Sequence, residues 1–336
     1  QVDNPALMQS LSLFGMPGLS FLVYWVNVSL AEMILKRHTL AYTFPMPFMV
    51  LAALWVFGAL RIANFESKGR DTIALAAVGT DSEISGLPLA TPAENEIFKS
   101  ALFARTRTAA HAGAKIVVWN EAALAILPEE EPALKDSLTK IATENGISLF
   151  AAYVVAITQT PLLYENKYLR INSHGQVLYR YQKHEPVPGE PAAKNRAPLE
   201  VAQVDDSEVG GAICYDYDFP YLARGFGELR ADIAVIPSSD WRGIDPVHSK
   251  MAAFRAVEQG HSLLRSTRFG LSAGINPCGK MVAQMSSFDH NGKIMWANLP
   301  RKGVWTFYAW AGDWFVWFCF CFSGWFLFRR LKRPPK

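Results

Sequence analysis

The chain has 336 residues, 50% of them hydrophobic and 12% aromatic, with a formal net charge of +3. That composition excludes a disordered chain, and with no basic stripe, zinc-finger spacing or aromatic RNA-binding signature it sets nucleic acid aside. Four scattered cysteines (Cys214, Cys278, Cys319 and Cys321) make no disulfide framework, and without CxxC, HExxH or an i, i+4 histidine pair the sequence gives no support to a metal site.

The first two predicted elements are membrane helices. Leu11–Ala31 and Leu40–Leu60 carry no charged residue, and each is as long as the roughly 20 residues that cross a bilayer. Pro45 and Pro47 fall near the start of the second, where proline is tolerated. A buried helical hairpin is the alternative reading. A cleaved signal peptide fits poorly, because the first apolar run is long and no basic stretch precedes it.

Alternating elements follow. Ile73–Gly79 and Lys115–Trp119 are short apolar strands, separated by an amphipathic helix over Pro92–Ala112. A helix over Pro132–Asn145, stopped by Gly146, leads to a strand over Ile147–Ala156. Two strands flank the turn Asn172-Ser173-His174-Gly175, and Pro186–Pro198 is a polar, proline-rich loop. Strands over EVGGAICY and Ala231–Ser239 precede a helix over Pro246–Gln259. The alternation predicts a layered α/β domain with buried sheet.

A third candidate span, WFVWFCFCFSGWFLF, covers Trp314–Phe328. Its aromatic density fits a membrane interface. It reaches spanning length only if Gly303–Gly312 contributes, and Asp313 interrupts. Lys36 and Arg37 lie between the first two spans, and Arg329, Arg330, Lys332, Arg333 and Lys336 follow the third. Both clusters are expected on the cytoplasmic side. The expected organisation is therefore two membrane helices in 1–61, an extracytoplasmic domain over 62–302, and a membrane helix with a basic cytoplasmic tail over 303–336.

Three polar residues sit just past apolar strands: Glu121 after KIVVW, Lys183 after LYRYQ, and Cys214 after GGAI. Strand ends of open α/β sheets line the active crevice. Singly, each has a plainer reading: a helix cap, a solvated lysine, a small core residue. Together they suit nucleophilic chemistry. A thiol near Asp216 and Asp218 is hard to ionise, but Glu121 can take its proton, and Lys183 can offset the carboxylates and donate to an oxyanion. The reaction class is acyl transfer through a thioester, with Glu121 then protonating the leaving group and deprotonating the second nucleophile. His184, Arg265, Arg268 and Cys278 have structural readings at least as good as functional ones.

These blocks, WNEAAL, YQKHEPVPGE and AICYDYDFP, resemble the Glu–Lys–Cys motifs of the carbon–nitrogen hydrolase (nitrilase) superfamily. Within it the chain is most similar to the apolipoprotein N-acyltransferases. Ser238–Lys280 resembles that family's segment after the nucleophile, TFYAWAGDW its C-terminal end, and Gly15–Asn27 one of its late membrane helices. The resemblance implies an αββα sandwich carried on transmembrane helices. It implies no cofactor, a phospholipid acyl donor, and a diacylglyceryl lipoprotein acceptor acylated on its N-terminal amine. It also implies a bacterial inner membrane, with the catalytic domain on the periplasmic side. Catalysis would fall to Glu121, Lys183 and Cys214, with Glu190, Tyr215, Asp216 and Trp241 in auxiliary or substrate-binding roles.

The chain departs from the family pattern in four places. Asp216 stands where Glu is usual, and Asn120 replaces Pro. The interval from Lys183 to Glu190 is one residue short, and only two membrane helices precede the domain. Two alternatives share the motifs: a membrane-anchored amidase hydrolysing a small amide, and a catalytically inert lipoprotein-binding relative.

Overall fold

The computed structural model describes residues 3–35, 45–82, 89–289 and 293–332. The predicted basic pair Lys36 and Arg37, the first residues of the predicted second span, and Arg333 and Lys336 lie outside the described residues.

The chain begins with a short helix α1 (Pro5–Met8) and a long apolar helix α2 (Leu11–Leu35), broken at Gly15 (φ 64°, ψ −174°). Helix α3 (Pro45–Glu66) follows. It runs six residues past the predicted end at Leu60, because RIANFE has no breaker and Arg61 turns inward toward Gln9 and Cys278. Within them, Leu11–Leu35 and Met46–Glu66 are long and apolar enough to cross a membrane. Tyr24, Ile34, Leu35, Met49 and Leu60 are more than 60% exposed, an apolar surface that water would penalise.

Two sheets form the body. Strand β1 (Thr72–Val78) pairs in parallel with β2 (Ile116–Trp119), and β2 with β4 (Ser148–Gln159). β5 (Leu162–Ile171) and β6 (Val177–Gln182) extend this sheet antiparallel, while the two-residue β3 (Ala125–Ile126) joins β4. β13 (Ile294–Pro300) closes the far edge against β1. The second sheet has the order β12 (Met281–Ser286), β11 (Leu271–Ile275), β10 (Ser262–Arg268), β9 (Ile233–Ser239), β8 (Ser207–Gly211), β7 (Val201–Val204).

Period-two alternation decides which face each residue takes. Ile73, Leu75 and Ala77 of β1, with Ile116 and Val118 of β2, meet Val235, Leu263 and Leu264 of the second sheet in one core. The intervening Ala76, Val78, Val117 and Trp119 face outward, onto helices α4 (Pro92–His111) and α5 (Glu131–Asn145). On the opposite side α6 (Pro220–Glu228) and α7 (Val247–Gln259) cover the second sheet through Ala223, Phe226, Ala252 and Ala256. The result is the expected four-layer αββα sandwich.

Local chemistry sets the helix ends. Thr91 and Glu94 form a reciprocal capping box at the start of α4. Gly146 ends α5 in the left-handed region at φ 61°. The strand predicted over EVGGAICY stops at Gly211, and Cys214 opens a 3-10 turn to Asp218. Strands β3, β7 and β10 to β13 have no counterpart among the predicted elements. The segment Gly303–Gly312 does not lengthen the last helix. It holds a short helix α8 (Phe307–Ala311), and Gly312 breaks the chain before α9 (Trp314–Leu331).

The apolar helices are bound firmly to the sandwich. Met8, Leu11 and Leu19 pack against Val257 of α7. The Trp314 indole donates to the Leu13 carbonyl at 2.8 Å. Helices α1 and α3 touch closely at Gly58, where a Cβ would lie 1.7 Å from the Ala6 carbonyl oxygen. Gly58→Ala is therefore expected to push α1 off α3 and cost roughly 1–3 kcal/mol, as overpacking does. Thermal unfolding in detergent checks this, and an unchanged midpoint would refute the close approach.

Candidate active site

The strand directions bring the three predicted residues to one end of the sandwich. β2, β4 and β6 run the same way, so the ends of β2 and β6 lie at one edge, facing the end of β8 on the other sheet. Glu121, Lys183 and Cys214 line a single cavity of about 480 Å³, together with Tyr164, Asn166, Glu190, Tyr215, Trp241 and His248.

Lys183 is the hub on the first sheet. Its Nζ donates to Glu121 Oε1 at 2.8 Å and to Glu190 Oε2 at 2.7 Å. All three side chains are nearly inaccessible to solvent. Burial pushes the Lys183 ammonium toward deprotonation, but the charges of Glu121 and Glu190 outweigh it and hold its pKa above the usual value. Burial likewise pushes Glu190 up, yet Lys183, Asn166 and the Val187 N–H bring it below the ordinary carboxylate range. Asn166 on β5 bridges the two acids, donating to Glu121 Oε1 at 2.7 Å and Glu190 Oε1 at 3.0 Å. Nothing in ENKYLR distinguished Asn166 from any other polar strand residue.

Cys214 opens its turn with φ 49°. A non-glycine residue there is strained, and surrounding structure must hold it. Its thiol faces the Ser239 carbonyl at 3.6 Å. Burial raises the thiol pKa, as do the charges of Glu121 and Asp240, while Lys183 and Arg265 pull it down; the net shift is upward. The surroundings of the sulfur thus favour its protonated form.

Behind Cys214 the structural reading of Arg265 holds, and its partners Asp240 and His248 are the residues that sequence reasoning missed. Arg265 on β10 forks onto Asp240, with contacts of 2.8 and 3.0 Å, and lies 4.0 Å from the Cys214 sulfur. His248 Nδ1 lies 2.7 Å from Asp240, and its Nε2 3.0 Å from the Asp218 carboxylate. Burial lowers the His248 pKa, but the two carboxylates outweigh it and the net shift is upward. Their separation along the chain hid this group. Cys214, Asp240 and His248 offer ligand atoms within 4.8 Å of one another. The Arg265 guanidinium already supplies the positive charge among them, so the cluster is satisfied as an ion-pair network.

The auxiliary residues divide. Glu190 and Tyr215 line the cavity, and Trp241 stands 57% exposed on its wall. Asp216 does not line it. Its carboxylate points behind the turn, accepting from Tyr181 Oη at 2.8 Å and the Glu185 N–H at 2.6 Å, and so ties the Cys214 turn to the loop after Lys183. The 3-10 turn that Cys214 opens has three residues per turn, so Asp216, two residues on, points away from the side that Cys214 presents to the cavity. His184 stacks on Tyr181 and also stays outside the cavity. Cys278 lies in the joint beside Arg61.

Residues 68–304 match the family model of the carbon–nitrogen hydrolases. The chain is 25% identical to the apolipoprotein N-acyltransferase of Photobacterium profundum, an alignment covering 95% of this chain and 65% of that one. It is 24% identical to the apolipoprotein N-acyltransferase of Rickettsia prowazekii, covering 88% and 63%. The chain thus spans less than two thirds of the length of these relatives. Among solved structures, it is similar to Nit3 of Saccharomyces cerevisiae, a nitrilase-superfamily member, at TM-score 0.57 and 20% identity over 68% of this chain and 90% of that one. An amidase from Nesterenkonia sp. gives TM-score 0.55 and 18% identity over 70% and 92%.

Burial pushes the Asp216 carboxyl up to about 7 against its hydrogen bonds. Between about pH 4 and 7 the folded protein then keeps a proton that the unfolded chain has released. This group's contribution to stability is greatest at the acid end of that window and declines as pH rises through it. Asp216→Asn is expected to flatten this part of the stability–pH curve, measured by thermal unfolding. An unaltered slope would show that Asp216 is already ionised.

Proposed function

The chain belongs to the carbon–nitrogen hydrolase family, and on that premise we propose that it is a membrane acyltransferase working through a thioester on Cys214. The observation that carries this reading is the meeting of Cys214, Glu121 and Lys183 in one buried cavity of a body fastened to lipid-compatible helices. In this reading residues 1–61 and 303–336 hold the membrane helices. Residues 62–302 form the catalytic domain on the extracytoplasmic face of a bacterial inner membrane, and α9, with Trp317 and Phe320 each 69% exposed, is a third span.

Glu121 takes the thiol proton, and the sulfur attacks the ester carbonyl of a phospholipid. The oxyanion is held by the Lys183 ammonium and the backbone N–H after Cys214. Collapse breaks the ester C–O bond, Glu121 returns its proton to the departing lysophospholipid alkoxide, and the acyl group remains on sulfur. The amine of a diacylglyceryl lipoprotein then attacks the thioester, and Glu121 accepts its proton. Collapse expels the Cys214 sulfur, which recovers the proton from Glu121. Glu190 and Asn166 keep Lys183 and Glu121 in register. Tyr215 and Trp241 line the acyl path. No cofactor enters any step.

Intact-protein mass spectrometry after incubation with a diacyl phospholipid in detergent tests this. A hydroxylamine-labile gain of one fatty acyl group, absent in Cys214→Ala, is expected. Glu121→Gln should slow loading by roughly 10²–10⁴-fold, the usual loss of a general base. No adduct, with Cys214 still alkylated rapidly, would reject the phospholipid donor and move the assignment to a membrane-anchored amidase. Alkylation no faster than a model thiol would point instead to an inert binding relative.

A further inference from the structure

Against the far side of the Cys214 turn lies a network that the proposed chemistry does not use, and it meets the cavity lining only at Asp218 and His248. Helix α2 breaks at Gly15, so Met16 begins a new helical segment whose N–H has no carbonyl one turn back. That N–H donates to Glu258 Oε1 at 2.7 Å. Glu258 is wholly buried in the last turn of α7. Its other oxygen receives Arg255 Nη1 at 2.5 Å, and the same guanidinium donates through Nη2 to the Asp218 carbonyl at 2.7 Å. Asp218 closes the turn that Cys214 opens. At the other end of α7, His248 reaches the Asp218 carboxylate. One helix therefore grips the last residue of the nucleophile turn by both its carbonyl and its side chain.

The Glu258 end of that helix is held by the start of α8, which also meets the elbow of α2. The Thr306 hydroxyl donates to the Glu258 carbonyl at 2.6 Å. The Tyr308 ring packs over Gly15, where a Cβ would come within 2.3 Å of it. A buried ion pair is a poor device for stability alone, since apolar side chains of equal volume fill such a space without the desolvation cost. What the pair adds is direction, with three hydrogen bonds leading from the elbow of α2 to the end of the Cys214 turn. A residue at φ 49° keeps its geometry only where neighbours fix it on both sides. Asp216 fixes the turn against the lysine loop, and Asp218 fixes it against α7.

We propose that Arg255 and Glu258 are positioning residues that couple the seating of the membrane-helix elbow at Gly15–Met16 to the geometry of Cys214. This deepens the acyltransferase reading and rests on it for its meaning, but its test reads the thiol rather than acyl transfer. A chain whose elbow is displaced, by a substitution or by a lipid environment that shifts α2, presents a misaligned nucleophile while the cavity residues remain in place.

The experiment follows alkylation of Cys214 by iodoacetamide on the full chain in detergent. It is quantified on the Cys214 peptide across pH, beside a thermal melt. Arg255→Gln, Glu258→Gln and Gly15→Ala are each expected to slow alkylation about 10–100-fold, the scale of a displacement near 1 Å, and to shift its pH profile. Arg255→Lys should recover part of the rate. The double variant Gly15→Ala/Arg255→Gln should fall short of the sum of its parts, because both break one chain of contacts. Unchanged rates and profiles in folded variants, or strictly additive effects, would overturn the proposal. Should Arg255→Gln fail to fold, Gly15→Ala and Arg255→Lys carry the test alone. Normal sensitivity of alkylation with no acyl loading would leave the coupling standing and reject the phospholipid donor.

Discussion

The site depends on one buried ammonium held between two carboxylates. Lys183 lies almost wholly out of water, 2.8 Å from Glu121 and 2.7 Å from Glu190. Such a cation is tolerable only when its partners are fixed and their remaining lone pairs are satisfied. Asn166 does that on β5, bridging both acids, and the Val187 N–H completes Glu190. The requirement fixes the relative placement of β2, β5, β6 and the 186–190 loop. The charged groups of this cavity wall are thus held in place by their own hydrogen bonds.

The opposite wall repeats the arrangement around a guanidinium. Arg265 is buried against Asp240, which also faces His248, and His248 reaches Asp218. Burial pushes the Asp240 carboxyl up, but His248 and Arg265 outweigh it and hold it down at about 2. Two charged clusters, one on each sheet, thus flank a thiol that is itself neutral at rest. A neutral thiol costs less to bury there than a third charge would.

The junction with the apolar helices follows different physics. Lipid-compatible side chains cover the outer faces of α2, α3 and α9, while their inner ends meet the sandwich through polar contacts that tolerate little displacement. Met16 N–H on Glu258 and the Trp314 indole on the Leu13 carbonyl are examples. Gly15 and Gly58 allow the backbones and rings to approach at that joint. The apolar helices are fastened to α7, whose other end touches the Cys214 turn, so these helices and the candidate site share a single element.

The sequence by itself determined the layered α/β class, the apolar helices, most central strands and the three strand-end residues. Each of these is a local signal: period-two alternation, an uncharged run, or a polar residue at the end of an apolar one. It did not show β10 and β11, where alternation is blurred because both faces are buried and β10 carries Arg265 and Arg268 inward, nor the edge strands β12 and β13, whose partners the fold supplies. The roles of Asn166, Asp218, Asp240, His248, Arg255 and Glu258 were decided only by tertiary structure. Asp216 was placed near the cavity from its neighbours in sequence, yet a turn of a few residues suffices to aim it at Tyr181 instead. A buried charge is defined by the partners that neutralise it. Here those partners come from strands and helices far apart in the chain, so only the fold could identify them.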